Sequence, residues 1–137
     1  MNSIIKQKFR EIRESISIIS ENVPATADEF KELGLVKDGI YKRLEFCIQN
    51  LIDVFSIVYS SRNIGAPSNL DDVFVRLSQK KVFSSKIITL VMRMKGLRNI
   101  LAHRYGDIND DMVYELITEK LDDFEIIMCA VEKYLQK

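Results

Sequence analysis

Proline occurs twice, glycine five times and tryptophan not at all in 137 residues. An all-β domain needs a turn about every 8–12 residues, so this shortage of turn formers argues against a sandwich or barrel and for long helices. No apolar run approaches the roughly 20 residues that cross a bilayer, so no membrane association is expected. The opening MNSIIKQKFREIRES becomes charged within a few residues and contains no secretory apolar segment; a cytoplasmic location is expected. The two cysteines, Cys47 and Cys129, fall within apolar helical patterns without CxxC or any other metal-ligand spacing. Both are expected to be reduced, buried thiols. Charge of one sign is not in excess: 20 basic residues balance 20 acidic ones, so no global field attracts a polyanion. P-loop, GxGxxG and HExxH patterns are absent too, which sets aside the commonest nucleotide-binding and zinc-hydrolase chemistries.

What remains is helical periodicity. The length and the 47% hydrophobic content suit a single domain, residues 1–137, with one core. Ile5, Phe9, Ile12, Ile16 and Ile19 recur at steps of three and four, predicting a first helix that ends before Pro24. Thr26 to Glu29 resembles a capping box opening a short helical turn that Gly34 closes. A long helix is predicted from about residue 36 to 63, striped by Ile40, Leu44, Cys47, Leu51, Val54, Phe55 and Val58. A loop at GAPSN (65–69) precedes a second capping box, Ser68 to Asp71, and a short helix over 70–79. A helix over 84–103 and, after GDIND (106–110), a last helix whose apolar residues run from Val113 to Leu135 complete the chain. The predicted fold class is all-α: an antiparallel up-and-down bundle of four long helices plus one or two short ones. Tyr41, Tyr59 and Phe74 read as core or rim aromatics. The apolar stripes are wide enough that part of them could serve a dimer interface.

The neutral total conceals segregation. Residues 76–104 carry eight basic side chains and no acidic one, whereas 107–125 carry eight acidic side chains and only Lys120 as a base. Two explanations are open: pairing of neighbouring helices, or a local surface for phosphate, since clustered cations act on a polyanion even in a neutral protein. The basic block ends at RNILAHRYGD (98–107), which holds the only histidine in the chain.

A single histidine on a helix is most often structural. Here Arg98 and His103 are five residues apart, about 140° around an ideal helix, so they do not share one buried stripe. Arg98 and Tyr105, seven apart, nearly eclipse unless Gly106 already unwinds the end, and polar Asn99 adjoins Arg98. Arginine suits a phosphodiester because its planar fork binds phosphate bidentately and keeps its charge. Histidine titrates near neutrality and suits proton transfer. Together they could cleave RNA without a metal: imidazole takes the 2′-hydroxyl proton while guanidinium stabilises charge at phosphorus. A general acid is also needed, and a two-fold dimer would supply it as a second His103. Asp107, Asp110 and Asp111 fit no calcium loop; Asp110 and Asp111 read as the start of the last helix, where the dipole favours them.

Residues 98–105 resemble the R-x4-H-x-Y motif of the HepT-like toxins of the HEPN superfamily. YKRLEFCIQNLIDV (41–54) is similar to the long helix before that motif, with Arg43, Gln49 and Asp53 at characteristic polar positions. DDVFVRLSQKKV (71–82) resembles the short helix that follows it. The resemblance runs from about residue 36 onward; the N-terminal helix matches only in length and amphipathicity. It implies a homodimeric helical bundle acting as a metal-independent endoribonuclease without a cofactor, with Arg98 and His103 catalytic and Asn99 supporting. It also implies a partner, the minimal nucleotidyltransferase antitoxin MNT, which transfers AMP onto the motif tyrosine, here Tyr105. On this reading Arg76, Lys80, Lys81, Arg93, Lys95 and Arg104 face RNA. Rival readings are a non-catalytic helical subunit that binds a nucleotidyltransferase, and a relative acting on nucleotides rather than RNA.

Overall fold

The computed structural model describes residues 2–137, and every regular element in it is helical. Helix α1 spans Ser3–Glu21, α2 Ala27–Lys31, α3 Leu35–Ser61, α4 Leu70–Gln79, α5 Ser85–His103, α6 Asp110–Glu119 and α7 Asp122–Leu135. A 3-10 turn at Tyr105–Asp107 joins α5 to α6. Helix α3 is the central strut, with its most extensive packing against α1 on one side and α5 on the other. Helix α4 packs across α3 and α5, α7 packs on α5, and α2 on α6.

The caps explain where helices begin. The Thr26 side chain accepts the Glu29 amide at 3.1 Å and starts α2. Ser84 accepts the Ile87 amide at 3.3 Å and starts α5. The second capping box lies one residue later than Ser68 to Asp71. Asn69, in extended backbone, accepts the Asp72 amide at 2.9 Å, and the Asp72 carboxylate returns the bond to the Ser68 amide at 2.8 Å. Gly34, at φ 61° and ψ −121°, turns the chain from α2 into α3 in a backbone region that side chains disfavour.

The last helix differs from its expected single span: it breaks at Lys120, where the backbone leaves helical geometry (φ −126°, ψ 10°). Thr118 turns its hydroxyl back onto the carbonyls of Tyr114 and Glu115, and Asp122, Asp123 and Glu125 then occupy the first turn of α7. Carboxylates are favoured at a helix N-terminus, so the acidic run starts a new helix rather than continuing the old one.

The core is one continuous cluster drawn from α1 to α7. Leu44, Leu51, Val54 and Phe55 of α3 are fully buried, with Ile12 of α1, Val91 of α5 and Ile127, Met128 and Val131 of α7. Phe55 meets Phe74 edge-on at 5.9 Å and Phe83 at 4.9 Å, a geometry suited to aromatic quadrupoles. Tyr41, Tyr59 and Phe74 are core aromatics, as their spacing predicts. Cys47 is buried, and burial pushes its thiol up to about 12. Cys129 is a correction: it is exposed, because α7 buries Phe124, Ile127, Met128 and Val131 and position 129 falls off that face.

Near the α3 N-terminus the Tyr41 hydroxyl donates to Asp110, whose other oxygen takes Lys37 at 3.1 Å. Burial raises the Asp110 carboxyl, but the bonds from Tyr41 and Lys37 outweigh it and hold the group below its ordinary value. The folded state therefore binds this proton less tightly than the unfolded chain. The contact contributes stability above the ordinary carboxylate range and loses it as pH falls through the folded value. Asp110→Asn should lower the melting temperature at pH 7, and the gap from wild type should close below about pH 4; scanning calorimetry between pH 3 and 7 checks both. Leu51→Ala, at the centre of the core, should cost about 2–5 kcal/mol in urea unfolding.

Candidate active site at the end of helix α5

Arg98 lies in the penultimate turn of α5 and is half-buried against α3. Its Nη1 donates to the Gln49 side-chain oxygen at 2.7 Å. Gln49 in turn donates to Asp53 at 2.8 Å, and Asp53 is paired with Lys8 of α1 at 3.1 Å. Asn50, also buried, takes a longer contact from Lys8 at 3.5 Å and donates to Glu11 at 3.2 Å. A polar chain thus runs from α5 through α3 to α1 and ends on the guanidinium. No carboxylate pairs with Arg98 among the described residues, and its Nε is buried without a hydrogen-bond partner. Buried cations are normally paired, so this one has capacity for an anion.

His103 is the last residue of α5 and is exposed. The helix stops there because Arg104 adopts φ −135° and ψ 51°, its amide still bonded to the Ile100 carbonyl at 2.9 Å. The Asp107 amide then closes the 3-10 turn on the Arg104 carbonyl at 2.8 Å. The unwinding removes the near-eclipse of Arg98 and Tyr105 that a continuous helix would give. The Tyr105 ring instead stands edge-on to Tyr41, with centroids 5.9 Å apart, and its hydroxyl donates to Asp38 in the first turn of α3. Burial, then the bond to Asp38, push the Tyr105 phenol up to about 12. Nearly half of the residue's surface nevertheless stays open to solvent. Beside Tyr105, a groove of about 420 Å³ is lined by Asp38, Tyr41, Lys42, Glu45, Leu101, Ala102 and Tyr105.

The α5 terminus thus brings Arg98, Asn99, His103, Arg104 and Tyr105 to one end of the α3–α5 contact. Lys80, Lys81 and Arg93 are exposed on α5 and the loop before it. Arg76 and Lys95 are more committed. Arg76 bonds the Tyr59 hydroxyl at 3.1 Å, the Ala66 carbonyl at 3.2 Å and Asp72 at 3.1 Å, fixing the 62–69 loop. Lys95 pairs with Asp71 at 2.6 Å. Among the described residues no ion pair links the basic block to the acidic one; Asp110, Asp111 and Glu125 take Lys37, Lys31 and Arg13 instead. Segregation is therefore not helix-to-helix pairing. Glu125, Cys129 and Glu132 could offer three metal ligands within 4.8 Å, but Arg13 already bridges both carboxylates.

Asp38 and Tyr41 escaped the sequence reading as parts of the site. Asp38, Tyr41, Glu45, Gln49 and Asp53 do follow one another at steps of three and four along α3, the one signal that could have found them.

Comparison with known proteins bears on the family and the fold. Residues 12–131 match the family described as Ribonuclease HepT-like. The mRNA nuclease HepT of Shewanella oneidensis is 30% identical over 125 residues, covering 91% of this chain and 93% of that protein. The tRNA nuclease HepT of Aphanizomenon flos-aquae is 24% identical over 92 residues, covering 67% and 63% respectively. The structure of a tri-AMPylated HEPN toxin of Shewanella oneidensis in complex with MNT antitoxin superposes with a TM-score of 0.86 at 28% identity, covering 97% of this chain and 99% of that one. With the family matched over most of its length and the bundle reproduced, this chain belongs to the ribonuclease HepT-like family and has the HEPN toxin fold.

Proposed function

We propose that this chain is the toxin of a toxin–antitoxin pair: a cytoplasmic, metal-independent endoribonuclease of one domain, silenced when an MNT-type nucleotidyltransferase adds AMP to Tyr105. The carrying observation is Arg98, a half-buried guanidinium held by a neutral amide and lacking a carboxylate. Such a cation is completed by a phosphate oxygen. The names of the related nucleases and the antitoxin-bound toxin structure support the same reading. No described helix is long and apolar enough to cross a membrane.

In this mechanism Arg98 grips the scissile phosphate and stabilises the charge that grows on it. His103, exposed at the helix end, takes the 2′-hydroxyl proton. The 2′-oxygen attacks phosphorus, the bond to the 5′-oxygen breaks, and that oxygen needs a proton. A second chain provides it: in a homodimer with the two α5 ends facing, one imidazole accepts and the other donates. Asn99 supports the pair from the turn beside Arg98. Lys80, Lys81, Arg93 and Arg104 steer the polyanion, while Arg76 and Lys95, held by Asp72 and Asp71, add to the field more than to direct contact. The guanidinium supplies the positive charge that a metal would otherwise bring.

Arg98→Ala and His103→Ala should each reduce cleavage of a mixed mRNA and tRNA substrate at least about 100-fold with unchanged circular dichroism. Wild-type cleavage should survive EDTA. Growth inhibition in cells that survives His103→Ala, with no cleavage by either protein, would leave the chain as a non-catalytic subunit of the transferase. Gln49→Ala should lower kcat about 10-fold or more with a smaller change in KM, because it frees the arginine without removing it; single-turnover cleavage measures this.

A further inference from the structure

The tyrosine at the end of α5 is presented in an unusual way for an exposed side chain. Its ring is braced edge-on by Tyr41, and its hydroxyl hydrogen points at the carboxylate of Asp38. Asp38 is exposed and makes no ion pair among the described residues, although Lys37 and Lys42 lie close to it in sequence. Those two lysines are engaged elsewhere, Lys37 with Asp110 and Lys42 with Glu45 at 2.6 Å. Asp38 therefore keeps its acceptor capacity for the phenol.

From this geometry we infer that Asp38 is the general base for modification of Tyr105, accepting the phenolic proton as the tyrosine oxygen attacks a nucleotide. The inference rests on Tyr105 being the AMP acceptor. The donor is ATP held by the nucleotidyltransferase. The Tyr105 oxygen forms a bond to the α-phosphorus, the bond from that phosphorus to the bridging oxygen breaks, and pyrophosphate leaves. The proton passes to an Asp38 oxygen and from there to solvent. The toxin thus brings its own base to the reaction that silences it.

The surroundings make a base necessary. With the phenol pushed up to about 12, almost none of it is phenolate near neutral pH. A carboxylate already in hydrogen-bond contact shortens the proton's path to a single transfer, an effect worth about 10²–10⁴-fold in rate. The groups facing the hydroxyl are Asp38 and Tyr41 of α3 and Asp110 of α6. Tyr41 is itself a donor to Asp110, and Lys37 neutralises that second carboxylate. Only Asp38 is both in contact and uncommitted.

The test is single-turnover AMP transfer by the MNT-type partner with saturating ATP and Mg²⁺, followed by intact mass, for wild type, Tyr105→Phe, Asp38→Asn and Asp38→Glu between pH 6 and 9. Asparagine keeps an oxygen that can accept the hydroxyl, so it preserves the placement and removes only the basicity. Asp38→Asn should be slowed about 100-fold at pH 7. The ratio of wild-type to variant rate should fall about tenfold per pH unit, as hydroxide takes over the deprotonation and the partner's own titrations cancel. Asp38→Glu should recover part of the rate. If wild type gains AMP, Tyr105→Phe does not, and Asp38→Asn keeps pace at every pH, the base assignment is overturned while the acceptor reading stands. If wild type gains no AMP, both fall together.

Discussion

The site depends on a cation held without a counter-charge. Arg98 sits half-buried between α3 and α5, and the protein gives it an amide oxygen instead of a carboxylate. A carboxylate there would satisfy the guanidinium and compete with phosphate. The neutral Gln49 fixes direction and leaves the charge uncancelled. An N–H donor left buried without a partner costs about 1–3 kcal/mol, and Arg98 carries one in its Nε. That cost is sustained by the packing of α3 against α1 and α5, so the helix with the longest run of buried side chains also carries the polar chain from Gln49 through Asp53 to Lys8. Stability and the site use the same helix on different faces.

The end of α5 divides the remaining work by leaving the helix. Had the helix run on, Tyr105 would stand one heptad above Arg98, over the phosphate site. Unwinding after His103 sends the tyrosine sideways onto Tyr41 and Asp38. The imidazole stays exposed at the last helical position, and the Tyr105 hydroxyl is turned onto Asp38. On the proposed reading, a bound RNA and an approaching nucleotidyltransferase would address different sides of one short turn.

Much of this was legible from side-chain periodicity. The stripes of α1 and α3 appear at their expected places because each buries a continuous apolar face, and no competing turn signal interrupts them. The break at Lys120 was not legible. It contains neither glycine nor proline, and the deciding features are the back-bonding of Thr118 and the acidic first turn of α7, which only outweigh continuation once both flanks are packed. Cys129 misled for a related reason: an apolar neighbourhood in sequence does not say which of two adjacent positions faces out. At the site, the motif pointed to Arg98, His103 and Tyr105, but their anchors lie 49 and 67 positions earlier in the chain. Gln49 stands out only through the family resemblance, and Asp38 looks like an ordinary surface position of a helix until the α3–α5 contact exists.

That contact also gives the segregated charge a physical use. In sequence Tyr105 stands where the basic block ends and the acidic one begins, and in space its hydroxyl meets Asp38, with Asp110 near it. A phosphodiester placed on its oxygen brings a permanent negative charge to that boundary. Asp38 can no longer accept a hydrogen from the modified oxygen and repels the phosphate instead, so the acidic side offers the new group no stable position. The cationic side does, because guanidinium groups pair with phosphate bidentately. An AMP unit drawn toward Arg98 would occupy the capacity that the half-buried guanidinium keeps for RNA. On the proposed reading, the lack of a carboxylate at Arg98 among the described residues would serve two opposed ends, substrate capture in the free toxin and self-occlusion in the modified one.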